Sequence, residues 1–427
     1  MSVAQQATGV AGALADWAVQ LEPTADDLAL AQRALIDSVA VALAAADEPI
    51  AQIAARGLEE AGMWATMTHI VDFDDLHMPS TTHISTVCVP VTLALGGDAR
   101  DYLVGAGVMA RLGTALGWGH YQAGWHATTT AGALAAAAVA ASVFELDRER
   151  TAAALALAVP ASGGVQAAFG TDAKSLQVGL AADAGVRAAT LAEAGATADP
   201  SAIEAWMRLL GGDPEALVAS TTDRTAVPDG LAIKIYPCCY ALQRPIAAAA
   251  TLREAVTAAG GVQAVESITV RTLAGAITPL HHHRPVTGLQ AKFSLEYAVA
   301  TALLDEHSGF AAFSDEAVNR LEAQQLLRRV EVVTVDGGDG LLDGETVVEV
   351  RLTGAGEPLV ARLDLPPGAP ARPPSEQEMH AKVSDCLDAG LASVTAEALH
   401  TASWPQAAAI MRDTFPSRTA DLSEQVL

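Results

Sequence analysis

Lysine is rare in this chain of 427 residues and occurs only at Lys174, Lys234, Lys292 and Lys382. Lys174 lies in a Gly/Thr/Asp turn before a predicted helix, and Lys234 lies in a short apolar run that ends at Pro237. A lysine at such a turn either faces a cleft, where its ammonium can hold a carboxylate, or is solvated. We leave both alternatives open for Lys174 and Lys234, and we predict a solvated helix position for Lys382.

Histidines and aspartates are concentrated in one part of the chain. Five of the 11 histidines fall between residues 69 and 126, in the company of three acids. An aspartate beside a histidine can orient the ring and tune its basicity, as acid–base catalysis near neutral pH requires. Any single histidine here is equally well explained as a helix cap or a core residue, but the cluster as a whole favours catalysis. The residues are His69, His77, His83, His120 and His126, with Asp72, Asp74 and Asp75.

A metal site is the less favoured interpretation of this cluster. The run Asp-x-Asp-Asp-x-His at 72–77 offers oxygens and an imidazole to a divalent ion. Its spacing matches neither H-E-x-x-H nor an EF-hand loop. The three histidines at 281–283 cannot all face one ion, so they indicate a polar loop or one residue that faces a site. We therefore assign no metal ligands.

The motifs of several common enzyme classes are missing from the sequence. It contains no G-x-G-x-x-G after a predicted strand, no G-x-x-x-x-G-K-[ST] and no G-x-S-x-G. Nucleotide cofactors and a hydrolase of the nucleophile-elbow type therefore have no support.

The elements that must position these residues are helical in the first part of the chain. Thr24, followed by two aspartates, predicts a helix that runs to about Ala46. Further helical patterns cover about 98–116, 127–144, 148–159 and 177–194. Almost nothing before residue 255 alternates with a period of two, so we predict a large all-helical domain over 1–258.

The periodicity changes near residue 260. Four segments alternate apolar and polar residues between Gly, Asp and Pro turns, which predicts strands, and two helical stretches lie between the first and second. We therefore predict a smaller α+β domain over 262–372, followed by a linker and by helices over 375–427 that complete the first domain. The four segments are 265–273, 329–336, 346–354 and 359–366.

Composition and charge limit the partners of the protein. Apolar residues make up 51% of the chain and aromatic residues only 4%, and alanine runs are frequent, which favours a mostly helical fold. A formal net charge of −25 repels nucleic acids and anionic membranes, so we expect neither as a partner. An anionic substrate would be repelled too, and its site would need its own local cations.

Several features favour a cytoplasmic location. The first 17 residues contain no basic group of the kind that begins a signal peptide. The longest apolar run, at 127–144, consists largely of alanine and threonine, which favours a buried helix over a membrane span. The four cysteines include an adjacent pair and no C-x-x-C, so we expect reduced thiols.

Five segments, in this order, resemble the MmgE/PrpD family, which includes 2-methylcitrate dehydratase, cis-aconitate decarboxylase and iminodisuccinate epimerase. Each motif is weak alone, but the ordered set extends the resemblance from about residue 10 to the C-terminus. The segments are DFDDLHMPSTTH (72–83), GWHATTTAG (124–132), GTDAKSLQVGLAADAGVRAATLAEAG (170–195), KIYPCC (234–239) and RPVTGLQAKFSLEYAVATAL (284–303).

The resemblance implies a large helical domain closed by a small α+β lid, an active site between the two, no organic cofactor and a homodimer. It also implies the catalytic residues, and we expect three further residues to bind the substrate. The family positions match Asp72, His83, His126, Lys174, Lys234 and Tyr297, and the three binding residues are His77, Arg284 and Cys239.

Three positions depart from the family pattern. The threonine that commonly follows the aspartate pair is Leu76, and a histidine often found after Y-P-C-C is Gln243. The histidine that cis-aconitate decarboxylase carries closer to that run corresponds to Cys239. The segment before His69 is also shorter than usual. These changes reshape the pocket, and they weaken cis-aconitate decarboxylation most.

The leading hypothesis is a lyase that dehydrates or decarboxylates a small di- or tricarboxylate. One alternative is a dicarboxylate epimerase, which also needs a base, an acid and cationic groups. Another is a non-catalytic carboxylate binder with the same fold, which Leu76 and Gln243 favour. The two lysines with His83, His126 and Asp72 argue against it. In the favoured mechanism the two histidines form the acid–base pair, Asp72 orients or charges one of them, and the lysines hold carboxylates.

Overall fold

The structure, a computed structural model, describes residues 9–169, 171–277, 279–338, 343–389 and 394–416. The chain divides into two compact units, Met1–Leu231 with Cys386–Leu427 and Ala232–Asp385. The predicted mostly helical fold with a small sheet is confirmed. The second unit begins before the change in periodicity near residue 260, because the helix that follows Lys234 packs on the sheet of that unit.

The helices of the described residues have the following bounds in chain order. They are α1 (Val10–Val19), α2 (Ala25–Ala44), α3 (Pro49–Gly57), α4 (Glu60–Ile70), α5 (Ser85–Leu95), α6 (Ala99–Gln122), α7 (Ala127–Val143), α8 (Arg148–Ala158), α9 (Ala173–Glu193), α10 (Ala202–Leu209), α11 (Pro214–Ser220), α12 (Gln243–Ala250), α13 (Arg253–Ala258), α14 (Gly288–Ala291), α15 (Leu295–Leu304), α16 (Asp315–Val318), α17 (Leu321–Leu326), α18 (Glu376–Ala389), α19 (Ala396–His400) and α20 (Trp404–Thr414).

Side-chain caps start the helices at the predicted places. Thr24 accepts a hydrogen bond from the backbone N–H of Asp27, and the Asp27 carboxylate accepts one from Thr24, so α2 begins with a capping box. Asp147 caps α8 through the backbone N–H of Arg150. The pattern predicted an end near residue 116 for α6, but helical structure resumes after a left-handed break at Gly117 and continues to Gln122.

Small residues let the helices of the first unit approach closely. A Cβ added at Gly185 on α9 would lie 2.4 Å from both the carbonyl oxygen of Ala133 and the Cβ of Ala136 on α7. A Cβ at Gly179 would lie 2.2 Å from Oγ1 of Thr66 on α4. The backbone of α9 therefore lies directly against both α4 and α7. This close packing explains the use of glycine and alanine in this unit.

Burial accounts for the long apolar run predicted as a core helix. Its residues from Ala127 to Ala141 on α7 are all buried. Within the described part of the chain, no helix alone has the length and apolar character of a membrane span. Helices α2 and α3, bent by 109°, meet that criterion as a pair by length and composition alone.

The second unit contains a mixed sheet in the order β2-β1-β3-β4, with β1 (Val265–Leu273), β2 (Val330–Val335), β3 (Thr346–Leu352) and β4 (Leu359–Leu363). Strand β1 is parallel to β2 and antiparallel to β3, and β3 is antiparallel to β4. Helix α12 packs on β3 and β4, and α15 packs on β2. The four strands predicted from alternation are confirmed, whereas the role of this unit as a lid remains a prediction.

Two expectations about single side chains have different outcomes. The four cysteines, all within the described part of the chain, form no disulfides, as expected. Lys382 on α18, predicted to be solvated, is only 1% exposed, so that prediction was wrong. Its helix is polar overall, but Val383 and Cys386 on the same helix are also buried, and periodicity alone did not assign Lys382 to the buried side.

The close packing of α9 can be tested with two matched glycines. Gly185→Ala should lower the free energy of unfolding by about 1–3 kcal/mol, because the added methyl overpacks the contact with α7. Gly119→Ala adds the same methyl to an exposed helical position with no atom within 4 Å, and it should raise stability by about 0.5–1 kcal/mol. Urea unfolding of both variants measures the difference, and equal stabilisation by both would contradict close packing at Gly185.

Candidate active site

His83 follows a tight turn at the start of the histidine and aspartate cluster. Residues His77 and Thr82 form an antiparallel bridge, and the backbone N–H of His77 donates to the carbonyl of Thr82 at 2.8 Å. The His77 ring lies 2.7 Å from Oγ of Ser80 through Nδ1 and 2.8 Å from the carbonyl oxygen of Pro228 through Nε2. His77, predicted to bind substrate, therefore has both ring nitrogens engaged within the fold.

The turn is also fastened to the start of α7. The backbone N–H of His83 donates to Oγ1 of Thr128 at 3.0 Å. The side chain of His83 remains 15% exposed, whereas His69 is fully buried and His126 is 3% exposed. Of the three clustered histidines, His83 is the most exposed to solvent.

Asp72 and Lys174 form an ion pair at the edge of the cluster. Nζ of Lys174, in the first turn of α9, donates to Oδ1 of Asp72 at 2.9 Å, and both side chains are largely buried. The backbone of Asp72 has φ +58°, a left-handed conformation that is uncommon outside glycine. Such strain persists where the surroundings fix it, often at functional sites. The Lys174 ammonium also lies 5.5 Å from the centre of the Phe169 ring.

A single buried carboxylate joins two histidines. Nδ1 of His69 lies 2.7 Å from Oδ2 of Asp74, at hydrogen-bonding distance. Nδ1 of His83 lies 3.0 Å from the same oxygen, without hydrogen-bond alignment. Burial acts to raise the pKa of Asp74, but the two histidines outweigh it and hold the pKa well below its usual range. An ionised Asp74 accepts hydrogen bonds only, so it favours a hydrogen on the Nδ1 atoms that face it.

His126 is the N-cap residue of α7, and its ring lies against those of His69 and Phe169. Its ring stacks on His69 with centroids 5.6 Å apart and meets Phe169 edge-on at 5.0 Å. Its Nδ1 lies 2.6 Å from Nε2 of Gln177 on α9. Burial lowers the pKa of His126 well below its usual value, with further contributions from His69, Lys174 and His83.

The buried rings are therefore neutral at neutral pH. Burial lowers the pKa of His69 to about 4, although Asp74 opposes the shift. Neutral rings act as hydrogen-bond donors or acceptors according to their tautomer. Neither of these two buried rings therefore adds positive charge to the cluster near neutral pH, whereas the ammonium of Lys174 does.

The histidine and aspartate atoms are also close enough to hold one metal ion. The ligand atoms of His69, Asp74 and His83 all lie within 4.8 Å of one another. The distances of 2.7 Å and 3.0 Å between ring nitrogens and Asp74 are those of direct polar contacts between these side chains. Of these three residues, only Asp74 belongs to the Asp-x-Asp-Asp-x-His run at 72–77, whose residue types could hold a metal ion.

Lys234 lies in the second unit on a segment with anchored backbone on both sides. The N–H of Ile233 donates to the carbonyl oxygen of Gly368 at 2.8 Å. The N–H groups of Ile235 and Tyr236 donate to Oε1 of Gln243 at 2.9 Å and 3.0 Å. Gln243, a departure from the family pattern, thus has a structural role in holding this segment.

The remaining predicted residues of the second unit differ in their exposure. Lys234 is 1% exposed, and Tyr297 is fully buried with its hydroxyl donating to the carbonyl oxygen of Ala312. Cys239 is buried, and its backbone N–H donates to the carbonyl of Lys292. Arg284 is exposed and donates to the carbonyl oxygen of its neighbour His283 at 2.8 Å, so its guanidinium remains accessible to a ligand.

The first unit thus brings together four of the predicted catalytic residues, Asp72, His83, His126 and Lys174. The contact with histidine that was predicted for Asp72 is made by Asp74, since Asp72 pairs with Lys174. Sequence reasoning also missed Gln177. Its signal was the i, i+3 spacing from Lys174, which places both side chains on the same face of α9.

A buried acid lies behind the cluster. Asp75 accepts hydrogen bonds from the backbone N–H and the hydroxyl of Ser85, whose Oγ lies 2.8 Å from the Tyr102 hydroxyl. Burial raises the pKa of Asp75 to about 7, although the bonds from Ser85 oppose the rise and nearby Asp37 adds to it. Consecutive acids therefore differ in charge: Asp74 is ionised, and Asp75 is protonated below about pH 7.

Comparison with protein families gives two matches. The MmgE/PrpD N-terminal domain matches residues 61–210, and the MmgE/PrpD C-terminal domain matches residues 236–405. Together these matches cover well over half of the chain, and they include eight of the nine predicted site residues, since Lys234 lies between the two matched ranges. A search of curated proteins gave no match.

The protonation of Asp75 predicts a specific pH dependence of stability. With a pKa near 3.9 in the unfolded chain and about 7 in the folded one, the folded state binds the extra proton between these values. The free energy of unfolding of wild type minus that of Asp75→Asn should therefore fall as pH rises from about 4 to about 7, by up to about 1.4 kcal/mol per pH unit. Urea unfolding across this range measures it. A difference that does not change with pH would contradict a protonated Asp75.

Proposed function

The chain belongs to the MmgE/PrpD family, and on that premise we propose that it is a cofactor-independent lyase of a small di- or tricarboxylate. The reaction is dehydration or decarboxylation through proton transfer beside a carboxylate. The observation that carries the proposal is that one ammonium contacts Asp72 and two imidazoles contact Asp74 in the first unit, with the third imidazole, His126, stacked on one of them. The small polycarboxylate is the proposed partner, in a cytoplasmic homodimer.

Charge supports an anionic substrate at this site. The chain has a net charge of −25, so an anion is attracted only where a cation is fixed locally. An ammonium has three donors, and Lys174 uses one on Asp72 at 2.9 Å, which leaves others for a carboxylate. Lys234 is the proposed second carboxylate-binding cation, on a segment that Gly368 and Gln243 fasten at either side.

Exposure and the position of Asp74 support His83 as the base. It is the most exposed histidine of the cluster, and the Asp74 carboxylate lies 3.0 Å from its Nδ1. In dehydration, Nε2 of His83 takes the proton from the carbon beside a carboxylate, the C–H electron pair forms the double bond, and the hydroxyl group of the neighbouring carbon departs with its bonding pair. The departing hydroxide takes that proton back from the His83 imidazolium and leaves as water. In decarboxylation the C–C bond to the departing carboxylate breaks to release CO₂, and the acid–base pair delivers a proton to the electron pair left on carbon. An imidazole base contributes typically 10²–10⁴-fold to such a rate.

Negative charge that develops during proton removal must also be stabilised. Fixed donors in a water-poor site stabilise it without reorganisation, and removal of one such donor typically costs about 10²–10³-fold. We propose that Lys174 and His126 supply donors in the first unit. Tyr297 remains a proposed catalytic residue, and His77, Cys239 and Arg284 remain proposed binding residues. Of these four, Arg284 is the most exposed.

Turnover in deuterated water tests the reaction type. A thermal-shift screen of di- and tricarboxylates identifies binders, and each binder is then incubated with enzyme and followed by proton NMR in the presence of excess EDTA. A lyase should give a new vinylic signal or loss of a carboxylate. Deuterium exchange with inversion and no double bond would identify an epimerase instead. Binding without any conversion would favour a carboxylate binder, and activity that EDTA abolishes and zinc restores would contradict a metal-free mechanism.

The Lys174–Asp72 pair yields a second prediction for the identified substrate. Lys174→Ala should lower kcat/KM by about tenfold to two-hundredfold, the range expected for loss of a charge-assisted hydrogen bond of about 1.5–3 kcal/mol. This variant removes the Lys174 partner of Asp72, whose side chain is largely buried, and so it can also lower stability. It is therefore compared with the double variant Lys174→Ala/Asp72→Asn. Asparagine tolerates the left-handed backbone at this position, so the double variant should regain stability but not activity.

Arg208→Ala is the control for loss of a cation. Arg208 forms an exposed ion pair with Glu215 at 2.8 Å in the same unit, and such pairs contribute about 0–1 kcal/mol. Its removal should leave kcat/KM and stability nearly unchanged. Equal kinetics in the Lys174 and Arg208 variants would remove Lys174 from the proposed site.

A further inference from the structure

The side chain of Gln177 connects a backbone loop to the ring of His126. Its Nε2 lies 2.6 Å from Nδ1 of His126. On the other side, its Oε1 accepts a hydrogen bond from the backbone N–H of Val165 at 3.2 Å, and Nε2 lies 3.5 Å from the carbonyl oxygen of Val165. The amide is therefore held between one residue of the loop and one ring nitrogen.

Val165 determines which way the amide points. A backbone N–H can only donate and a carbonyl can only accept, so Oε1 must face the N–H and the NH₂ group must lie on the other side. A flipped amide would set NH₂ against the N–H of Val165 and its oxygen against the carbonyl. The orientation that satisfies Val165 presents an N–H donor to Nδ1 of His126.

The loop itself is fixed relative to the ring. The N–H of His126 donates to the carbonyl of Gly164 at 3.0 Å, and the N–H of Gln166 donates to the carbonyl of Gly124 at 2.8 Å. Gly164 has φ +97°, and a Cβ there would lie 2.0 Å from Oγ1 of Thr129. Only glycine allows this close approach, so Val165 stays in register with His126.

We propose that Gln177 is a positioning residue that fixes the tautomer of His126, with a bare Nδ1 and the ring hydrogen on Nε2. Because Nδ1 accepts the amide hydrogen, the neutral ring carries its hydrogen on the other nitrogen. The low pKa of the buried ring means that it is neutral, and so able to adopt this tautomer, at neutral pH.

His126 and His83 then present opposite functions to a ligand. The ionised Asp74 lies 3.0 Å from Nδ1 of His83 and favours a hydrogen there, which leaves the Nε2 lone pair free to take a proton. Gln177 does the reverse for His126, whose Nε2–H becomes a donor. This inference rests on the proposed function and deepens it: His83 is the base, and His126 donates a hydrogen bond to the carboxylate whose charge grows.

Nitrogen NMR of the intact protein tests the tautomer without any substrate. Protein with ¹⁵N-labelled histidine rings gives separate signals for bare and protonated ring nitrogens, and His126→Asn identifies the His126 signals by their loss. Wild type should show a bare Nδ1 and a protonated Nε2 at neutral pH. A protonated Nδ1 in wild type would overturn the proposal, whatever the variants do.

Gln177→Glu reverses the polarity of the contact. A carboxylate only accepts, so the His126 ring must place a hydrogen on Nδ1, and the bare-nitrogen signal of Nδ1 should disappear. Gln166→Glu is the matched control. Gln166 lies in the same loop and donates to the carbonyls of Tyr121 and Trp125 at 2.6 Å and 3.0 Å. Its substitution makes the same change from amide to carboxylate in the loop, but it should leave Nδ1 of His126 without a hydrogen. A bare Nδ1 in Gln177→Glu, or its loss in Gln166→Glu alone, would refute the proposed role of Gln177.

Kinetics separate this inference from the proposed function. Once a substrate is identified, Gln177→Glu should lower turnover at least about a hundredfold, because the wrong tautomer at a catalytic histidine can cost about 10⁴-fold. If the tautomer switches and turnover does not change, Gln177 sets the tautomer but His126 is not the proposed donor. If no carboxylate is converted, the NMR result still decides the tautomer.

Discussion

The close approach of α9 to α4 and α7 is the constraint on which the candidate site depends. Glycine at Gly179 and Gly185 removes the side chains that would otherwise separate these helices. The carboxylate of Asp183 adds a polar link, since it accepts from the N–H of Gly62 at 2.8 Å at the start of α4. At this spacing the first turns of α9 carry Lys174 and Gln177 to the end of α4 and the start of α7, where the aspartates and histidines lie. A wider crossing would break contacts of 2.6–2.9 Å that tolerate little displacement.

Three aspartates within four residues of sequence have three different electrostatic environments. Asp72 pairs with an ammonium, Asp74 is ionised between two imidazoles, and Asp75, hydrogen-bonded to Ser85, is protonated below about pH 7. The left-handed backbone at Asp72 helps adjacent side chains point to different partners, which regular helix or strand geometry would not allow. The strain of that backbone is offset by the contacts that it permits, and the same sequence motif supplies a partner for Lys174, a partner for two histidines and a hydrogen-bond acceptor for Ser85 at the start of α5.

Sequence alone predicted the elements better than the contacts. Caps at Thr24 and Asp147 and the alternation of β1–β4 are local signals, so the helical part and the strands followed from them. The roles of Asp74 and Gln177 could not be predicted in the same way, because each depends on a helix crossing between residues distant in the chain. Lys382 shows the same limit, since its burial is a tertiary property that charge and helical periodicity do not reveal.

Neutral imidazoles beside one paired ammonium give the site a particular electrostatic character. Burial keeps His69 and His126 uncharged, whereas the ammonium of Lys174 carries a positive charge that Asp72 partly balances. A bound carboxylate would add negative charge to this balance, and proton removal would add more. In the proposed site, the donors that would meet this charge are neutral N–H groups and one ammonium, held in place before a substrate binds. Preorganised donors of this kind stabilise developing charge without moving, so the precise hydrogen-bond partners of each ring matter as much as its identity.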